Sequence, residues 1–250
     1  MTMKVKNYLV LKNYMITERF FLYYDMPLVE SRYKRMEEIL VESAQLYLQD
    51  CDEIIVDRHT VSNDQEMFKH HMQVLMDRYH SEPCNILYCD LDMVFVKPYT
   101  IFGEFSTFAM LSGNCGVRYY PHGGVSEEIW NIQKQRSLDW DTSINDQHEF
   151  AWHHEQDIYN EMINHVIFVE RDGDMTTPFA PNVHNVHNSP YEGAGLIHCC
   201  GTSQRFDSIV LMEELLGLSK LQDHDKIKKL LECDLYGSIR PVTNNANPWM

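Results

Sequence analysis

The chain has 250 residues, 44% hydrophobic and 12% aromatic, and its 21 Lys and Arg against 37 Asp and Glu give a net charge of −16 at pH 7. That composition belongs to a globular chain long enough to bury a sizeable core and excludes a disordered one. So acidic a surface repels a phosphate backbone, which argues against nucleic acid as a partner but not against a small anion bound beside a metal ion.

Taken in chain order, Lys6–Lys12 reads as a first strand. Leu28–Asp50 has helical spacing, with Met36, Ile39, Leu40 and Leu46 on one side. Asp52–Asp57 is a short apolar run, the mark of a buried strand. Ser62 and Asn63 are cap-type residues ahead of a helix that carries Met67, His71, Leu75 and Met76 at helical intervals. Asn85–Asp90 is the third strand. Strand, helix, strand, helix, strand predicts right-handed βαβ units and a parallel sheet. The second half is less regular. Thr107–Gly113 and Asn164–Glu170 read as strands, Gly124–Arg136 as a helix capped by Ser126, and His153–Asn164 as another helix. Gly113–Gly124 reads either as a flexible loop over a ligand or as a plain turn. Thr176–Gly195 is a long loop rich in Pro, Asn and Gly, and loops of that length in a compact domain are more often functional than idle. A short strand at Ala194–Thr202 and helices at Ser208–Leu218 and Asp223–Cys233 complete the reading, ahead of a loosely ordered tail at 241–250. The expectation is one domain over residues 1–250 with a helical extension from about residue 203. The seven cysteines are an odd number without a C-x-x-C pair and read as reduced thiols. The opening residues lack the features of a signal peptide, and no run approaches the roughly 18 apolar residues of a membrane span. A soluble, cytoplasmic protein is therefore expected.

The third strand delivers two carboxylates. In "NILYCDLDMVFVKP" an apolar run climbs to Asp90, and Asp92 follows. Strand side chains alternate, so the two share a side if the extended geometry continues. In open α/β sheets the crevice at the carboxyl ends of the strands is where ligands bind. Two adjacent carboxylates repel each other, and a divalent cation with oxygen ligands removes the conflict. The competing reading, in which Asp90 merely ends the strand and Asp92 makes a turn, is weakened by the apolar flanks Ile86–Tyr88 and Met93–Val96.

Three stretches together carry a family resemblance. "ILYCDLDMVFVKP" resembles the Asp-x-Asp motif of GT-A glycosyltransferases, "HHEQDIYNEM" their later acidic helix start, and "GLIHCCGT" their C-terminal His element, in matching order over roughly Val5 to Leu218. Cys199 and Cys200 stand where the family carries an aromatic stretch. The resemblance, similar to the retaining galactosyl- and glucosyltransferase families, implies an α/β GT-A-type domain with a Rossmann-like, mostly parallel central sheet and flanking helices. It implies a metal-dependent hexosyltransferase that moves a sugar from a nucleotide-diphosphate sugar, a UDP-sugar, to a hydroxyl of a carbohydrate or other acceptor. Mn²⁺ or Mg²⁺ would be held by Asp90, Asp92 and His198, with Asp90 also reaching the ribose or acting through water. Asp157, with Glu155 as its competitor, would act on the sugar or acceptor, as general base if the reaction inverts. Whether it retains or inverts stays open. Asp57, at the end of the second strand, is the candidate contact to the nucleotide base.

Plainer readings stand beside these. With 13 His in the chain, His198 can be an ordinary buried strand residue. Glu155 and Asp157 can simply favour a helix macrodipole. Arg32, Lys34 and Arg35 read as a solvated helix face. His70–His71 and His153–His154 lack a closed tetrahedral ligand set. Two other functions compete. A haloacid-dehalogenase-type phosphatase would use Asp90 as nucleophile and Asp92 as acid/base, with Val94 as its small residue and Arg171–Met175 as an imperfect later motif. That site usually opens the chain. A nucleotide-sugar or glycan-binding protein without turnover is the non-enzyme alternative.

Overall fold

In a computed structural model of the protein we describe residues 4–17, 26–110, 116–138, 183–185, 191, 193–199 and 208–231. In chain order the elements are β1 (Lys6–Ile16), α1 (Met26–Tyr47), β2 (Glu53–Val61), α2 (Asp64–Ser81), β3 (Cys84–Asp90), β4 (Met93–Phe95), β5 (Ala109–Met110), β6 (Val117–Tyr120), α3 (Glu127–Leu138), β7 (Val183–Asn185), β8 (Leu196–His198), α4 (Ser208–Lys220) and α5 (His224–Leu231). The chain is α/β and divides into two compact units. One comprises residues 1–30, 50–90 and 101–179, the other 31–49, 91–100 and 180–250. The division falls between Asp90 and Leu91, inside the Asp-x-Asp motif.

The first unit is built on a five-stranded sheet of order β2-β1-β3-β6-β5. β1 pairs in parallel with β2 and with β3, while β6 runs antiparallel to both β3 and β5. The sheet is therefore mostly parallel, with β6 alone reversed. A strand covered on both faces reads as a continuous apolar run, and Tyr8–Leu11 on β1 and Ile86–Cys89 on β3 are buried without a break. α2 packs against β1, β2 and β3. Its N-cap is Asn63, whose side chain accepts a hydrogen bond from Glu66 N. Phe68, Met72 and Leu75 form its buried stripe, each worth about 1.5–3 kcal/mol when fully buried. Ser126 starts α3 in the same way, its Oγ accepting from Ile129 N at 3.3 Å.

The second unit holds a three-stranded sheet of order β4-β8-β7, with β4 antiparallel and β7 parallel to β8. α4 packs against β4 and buries Leu211, Met212, Leu215 and Leu216, a spacing that keeps them on one helical face. α1, which lies mostly in this unit, buries Ile39, Leu40, Ser43 and Ala44. Ser43 Oγ accepts a hydrogen bond from Phe95 N at 3.1 Å and donates to Leu40 O at 2.9 Å.

The elements differ from the sequence reading at several places. β1 and β2 run on to Ile16 and Val61. Asp57 consequently lies inside β2, four residues before its end. β3 stops at Asp90, Leu91 and Asp92 form a bend, and β4 belongs to the other sheet. The extended geometry that would have put Asp90 and Asp92 on one side by alternation does not continue. Part of the expected loop Gly113–Gly124 is β6, buried throughout, and the long loop Thr176–Gly195 contains β7. The strand expected at 164–170 and the helix at 153–164 lie outside the described residues. Among the described residues no helix is long and apolar enough to cross a membrane.

Candidate functional site

Asp92 and His198 stand 106 positions apart in the sequence, and the β4–β8 ladder of the second unit brings them together. Asp92 immediately precedes β4, and Met93 at its start is the register partner of His198 at the end of β8. Cys199 N donates to Asp92 O at 2.7 Å, extending the ladder by one step. The result is a contact of 3.2 Å between Asp92 Oδ1 and His198 Nε2, with the imidazole buried and the carboxylate about a quarter exposed (side-chain accessibilities 4% and 23%). A one-residue slip in this ladder would turn every side chain to the other face, and the register is held from behind. Val96 N donates to Gly195 O at 2.9 Å, Lys97 Nζ to Gly193 O and Tyr191 OH to Ala194 O at 2.8 Å. Gly193, at φ +86°, takes a left-handed turn open to glycine at no steric cost. A Cβ on Gly195 would come within 3.0 Å of the Tyr99 ring. The "VKPY" stretch after the motif thus fastens the segment that carries His198.

This pair fits a divalent ion in both chemistry and spacing. A carboxylate oxygen and an imidazole nitrogen suit Mn²⁺, and imidazole favours it over Mg²⁺. Two ligands at right angles, each about 2.1 Å from an ion, are about 3 Å apart, close to the separation seen. Among the described residues no group of three His, Cys, Asp or Glu side chains gathers at one point. An ion held by these two groups would complete its shell with further oxygen ligands, such as water and the phosphate oxygens of a substrate.

Asp90, the other carboxylate, ends β3 in the first unit and meets different company. Its register partner on β1 is Lys12. Lys12 Nζ lies 3.2 Å from Asp90 Oδ1, and Tyr88 OH donates to the same oxygen at 2.7 Å. Tyr88 and Asp90 are two apart on one strand and so share a side. Arg118 of β6, fully buried, lies with its Cζ 3.7 Å from the Tyr88 ring centroid, and Lys12 Nζ is 5.8 Å from the same ring. Arg118 Nη2 is 3.0 Å from His71 Nε2. Arginine only donates, so His71 Nε2 is the acceptor. His71 in turn stacks on Tyr88 with centroids 5.5 Å apart.

Asp57 is buried with both oxygens engaged: Tyr14 OH donates to Oδ2, and His59 Nε2 is 2.9 Å from Oδ1. Burial, and then the hydrogen bond to Asp57, push the Tyr14 hydroxyl well above its usual pKa. The His59 and His70 rings lie 3.7 Å apart beside this pair. The Asp57 carboxylate is thus committed to a network internal to the first unit. Arg35 of α1 pairs with Glu213 at 2.7 Å and Glu38 at 3.3 Å. Glu155 and Asp157, with His153 and His154, lie outside the described residues.

Lys12 and Arg118 escaped the sequence reading, which took Tyr88 only as an apolar flank and His71 only as a helix residue without a zinc ligand set. A signal was there: Lys12 interrupts the apolar run of β1, and Arg118 stands in "VRYY". A lone cation inside a buried strand needs a partner, because an uncompensated buried charge is costly.

No family model matches the sequence, and no curated protein matches it. Among solved structures, the chain is similar to one described as a glycosyltransferase involved in the glycosylation of the major capsid of PBCV-1. That likeness has a TM-score of 0.48 and 11% sequence identity, and it covers 86% of this chain and 99% of that one.

Proposed function

We propose that the protein is a metal-dependent glycosyltransferase that moves a sugar from a nucleotide-diphosphate sugar, with UDP as the nucleotide, to a hydroxyl acceptor. The observation that carries this reading is the Asp92–His198 contact. The motif resemblance requires the His of "GLIHCC" to return to the Asp-x-Asp segment, and a buried imidazole nitrogen faces the second carboxylate of that segment. The phosphatase alternative has no need of this histidine.

Asp92 and His198 would hold Mn²⁺ or Mg²⁺. When bound, the ion supplies Lewis-acid stabilisation to the charge that grows on the departing nucleoside diphosphate. The remaining work belongs to the chain's own side chains. The Lys97–Gly193 and Val96–Gly195 hydrogen bonds keep β8 in register and so hold His198 beside Asp92. Asp90, fixed by Tyr88 and Lys12, is oriented to accept a hydrogen bond from a donor hydroxyl such as that of a ribose. By the resemblance, Asp157 or Glu155 would address the sugar or the acceptor.

A thermal-shift panel of nucleotide sugars, run with and without Mn²⁺, tests the reading. UDP or a UDP-sugar should raise the unfolding temperature far more with the metal present than without it, since a ligand that binds the folded state stabilises it by mass action. UDP release on addition of donor and acceptor should follow. Stabilisation without release would mark a binding protein. Orthophosphate release from phosphate monoesters with Mg²⁺, and no response to any nucleotide sugar, would sink the transferase and favour the phosphatase.

A further inference from the structure

We propose that the outer flank of α4, together with Leu46 of α1, is a docking surface for a second copy of this chain, with the two α4 helices crossing antiparallel about Gly217. This goes beyond the transferase reading and does not depend on it.

The exposed apolar surface is concentrated. Among the described residues four large apolar side chains are more than half exposed: Leu28 (58%), Leu46 (53%), Val210 (51%) and Leu221 (74%). Leu46, Val210 and Leu221 belong to the second unit, where α1 and α4 stand side by side. Arg35 pairs with Glu213, and Glu42, seven residues on, pairs with Lys220, also seven residues on. The two helices therefore run parallel. Leu46 lies one turn beyond Glu42 and Leu221 directly follows Lys220, so both sit at the same end of the pair. α4 itself is apolar on two sides. It buries Leu211, Met212, Leu215 and Leu216, while Val210, Gly217 and Leu221 recur at i, i+7 and i+11 on the opposite flank. Leu221 N still donates to Gly217 O at 3.3 Å, which carries the helical spacing one residue past Lys220. Apolar groups gathered on one surface mark a contact, whereas scattered ones do not.

Gly217 stands in the middle of that flank. A Cβ built on it would meet nothing within 4 Å. Glycine inside a helix is destabilising relative to alanine, and no close neighbour among the described residues requires it here. A missing side chain is what lets the backbone of a second helix come near. Charge then decides which helix. Glu214 and Lys220 lie three residues before and three residues after Gly217, on opposite edges of the stripe, and both are exposed. A two-fold axis at Gly217 sets each residue opposite the one equally far on the other side of the glycine. Glu214 of each copy then faces Lys220 of the other, and the pair forms twice. A parallel crossing would set Glu214 against Glu214 and Lys220 against Lys220. Contacts of this self-complementary, two-fold kind are the commonest in homo-oligomers. Each copy carries a net charge of −16, so attraction between two of them has to be local, and these two ion pairs provide it.

The test is analytical ultracentrifugation of the full chain. A crossing of this size belongs with the small interfaces, below about 1,200 Å², which are weak. The parent should therefore pass from monomer to dimer at concentrations on the order of 10–500 µM. Gly217→Gln fills the open space with a better helix former. It should weaken the dimer by at least about tenfold, while the melting temperature of the dilute protein holds or rises. Glu214→Lys and Lys220→Glu should each weaken self-association by about tenfold or more, because like charges then face each other twice. Mixing those two variants should bring the dimer back, since in the mixed pair both charged contacts again join opposite signs. Circular-dichroism melts confirm that each variant is folded. A parent that stays monomeric at the highest concentration would overturn the inference and leave this face to a different protein or to another segment of the chain. A dimer that Gly217→Gln leaves unchanged would overturn it too, because the copies would then meet elsewhere. So would a mixture of the two charge variants that fails to associate where the parent does, which would exclude the antiparallel pairing about Gly217.

Discussion

Asp90 and Asp92 are the same residue type two positions apart, and their surroundings could hardly differ more. Asp90 closes a strand of the first unit, where the parallel neighbour β1 presents an ammonium and the strand itself presents a phenol. Asp92 sits in the bend that opens the second unit, where the antiparallel neighbour β8 presents an imidazole. One carboxylate is offered a proton-rich, positively charged environment and the other a metal-type ligand. Residue type and spacing alone offer two like oxygen donors. The two ladders make them unequal, since each carboxylate inherits the chemistry of the strand it pairs with.

The sharpest way to break this comparison is to remove one carboxylate at a time and measure UDP affinity in the presence of Mn²⁺ by calorimetry. Asp92→Asn should lose more than about 100-fold, beyond the roughly 10–100-fold that changes to groups supporting a metal ligand typically cost. The same measurement on Asp90→Asn should show a smaller loss that remains when Mn²⁺ is omitted. A larger loss in Asp90→Asn than in Asp92→Asn would invert the assignment. His198→Ala comes next. It removes a neutral nitrogen ligand but keeps the carboxylate, so Mn²⁺-dependent UDP affinity should fall by about 10–100-fold. His71→Ala is the control: it also deletes a buried imidazole, but one committed to Arg118. It should destabilise the fold without touching the metal dependence.

Much of the first unit was legible in the sequence because its signals are local. The apolar runs of β1 and β3, the cap at Asn63 and the helical stripe of α2 each depend on residues within a few positions of one another. The carboxylate pattern was legible for the same reason. The partners of those carboxylates were not. Lys12 reaches Asp90 across 78 positions and His198 reaches Asp92 across 106, and only strand order and register decide such meetings. His198 was named through a resemblance of motifs; no spacing rule could have placed it. Lys12 and Arg118 were missed because a lone cation in an apolar run announces only that it needs a partner, not which one. The end of β3 at Asp90 was read as it stands; what was missed is β4 and its place in a second sheet. No local rule says that the chain leaves one sheet for another at Leu91.

The support behind each carboxylate should respond more weakly than the carboxylates themselves. In the second unit, Ser43 is fully buried and gives Phe95 N, on β4, its hydrogen-bond acceptor at 3.1 Å. Ser43→Ala leaves that amide without the acceptor in a dry site, a loss of about 1–3 kcal/mol. Urea unfolding should show it as a lower midpoint at unchanged slope. Because β4 carries the register that seats His198, Mn²⁺-dependent UDP affinity should slacken as well, though by less than in His198→Ala. Parental stability in this variant would mean that β4 does not depend on α1 for its position.

Tyr88→Phe should have the smallest effect, and it sharpens the comparison most finely. The substitution deletes one hydroxyl and nothing else: the ring that faces Arg118 at 3.7 Å and stacks on His71 remains. What is lost is a hydrogen bond of 2.7 Å to Asp90 Oδ1. Bonds to charged groups can be worth about 1.5–3 kcal/mol, but the Asp90 side chain is 28% accessible, so water replaces part of what is removed. Lys12 also stays in place beside the same oxygen. The net cost to folding should therefore lie near the ordinary range of about 0.5–1.5 kcal/mol. Its value lies in the pattern of binding. If Asp90 serves the nucleotide and not the metal, loosening its carboxylate should weaken UDP equally with and without Mn²⁺, and Mn²⁺ alone should bind as in the parent. A fall in Mn²⁺ affinity comparable to that of His198→Ala would show that both carboxylates answer to the same ion, and the division of labour drawn from their partners would not stand.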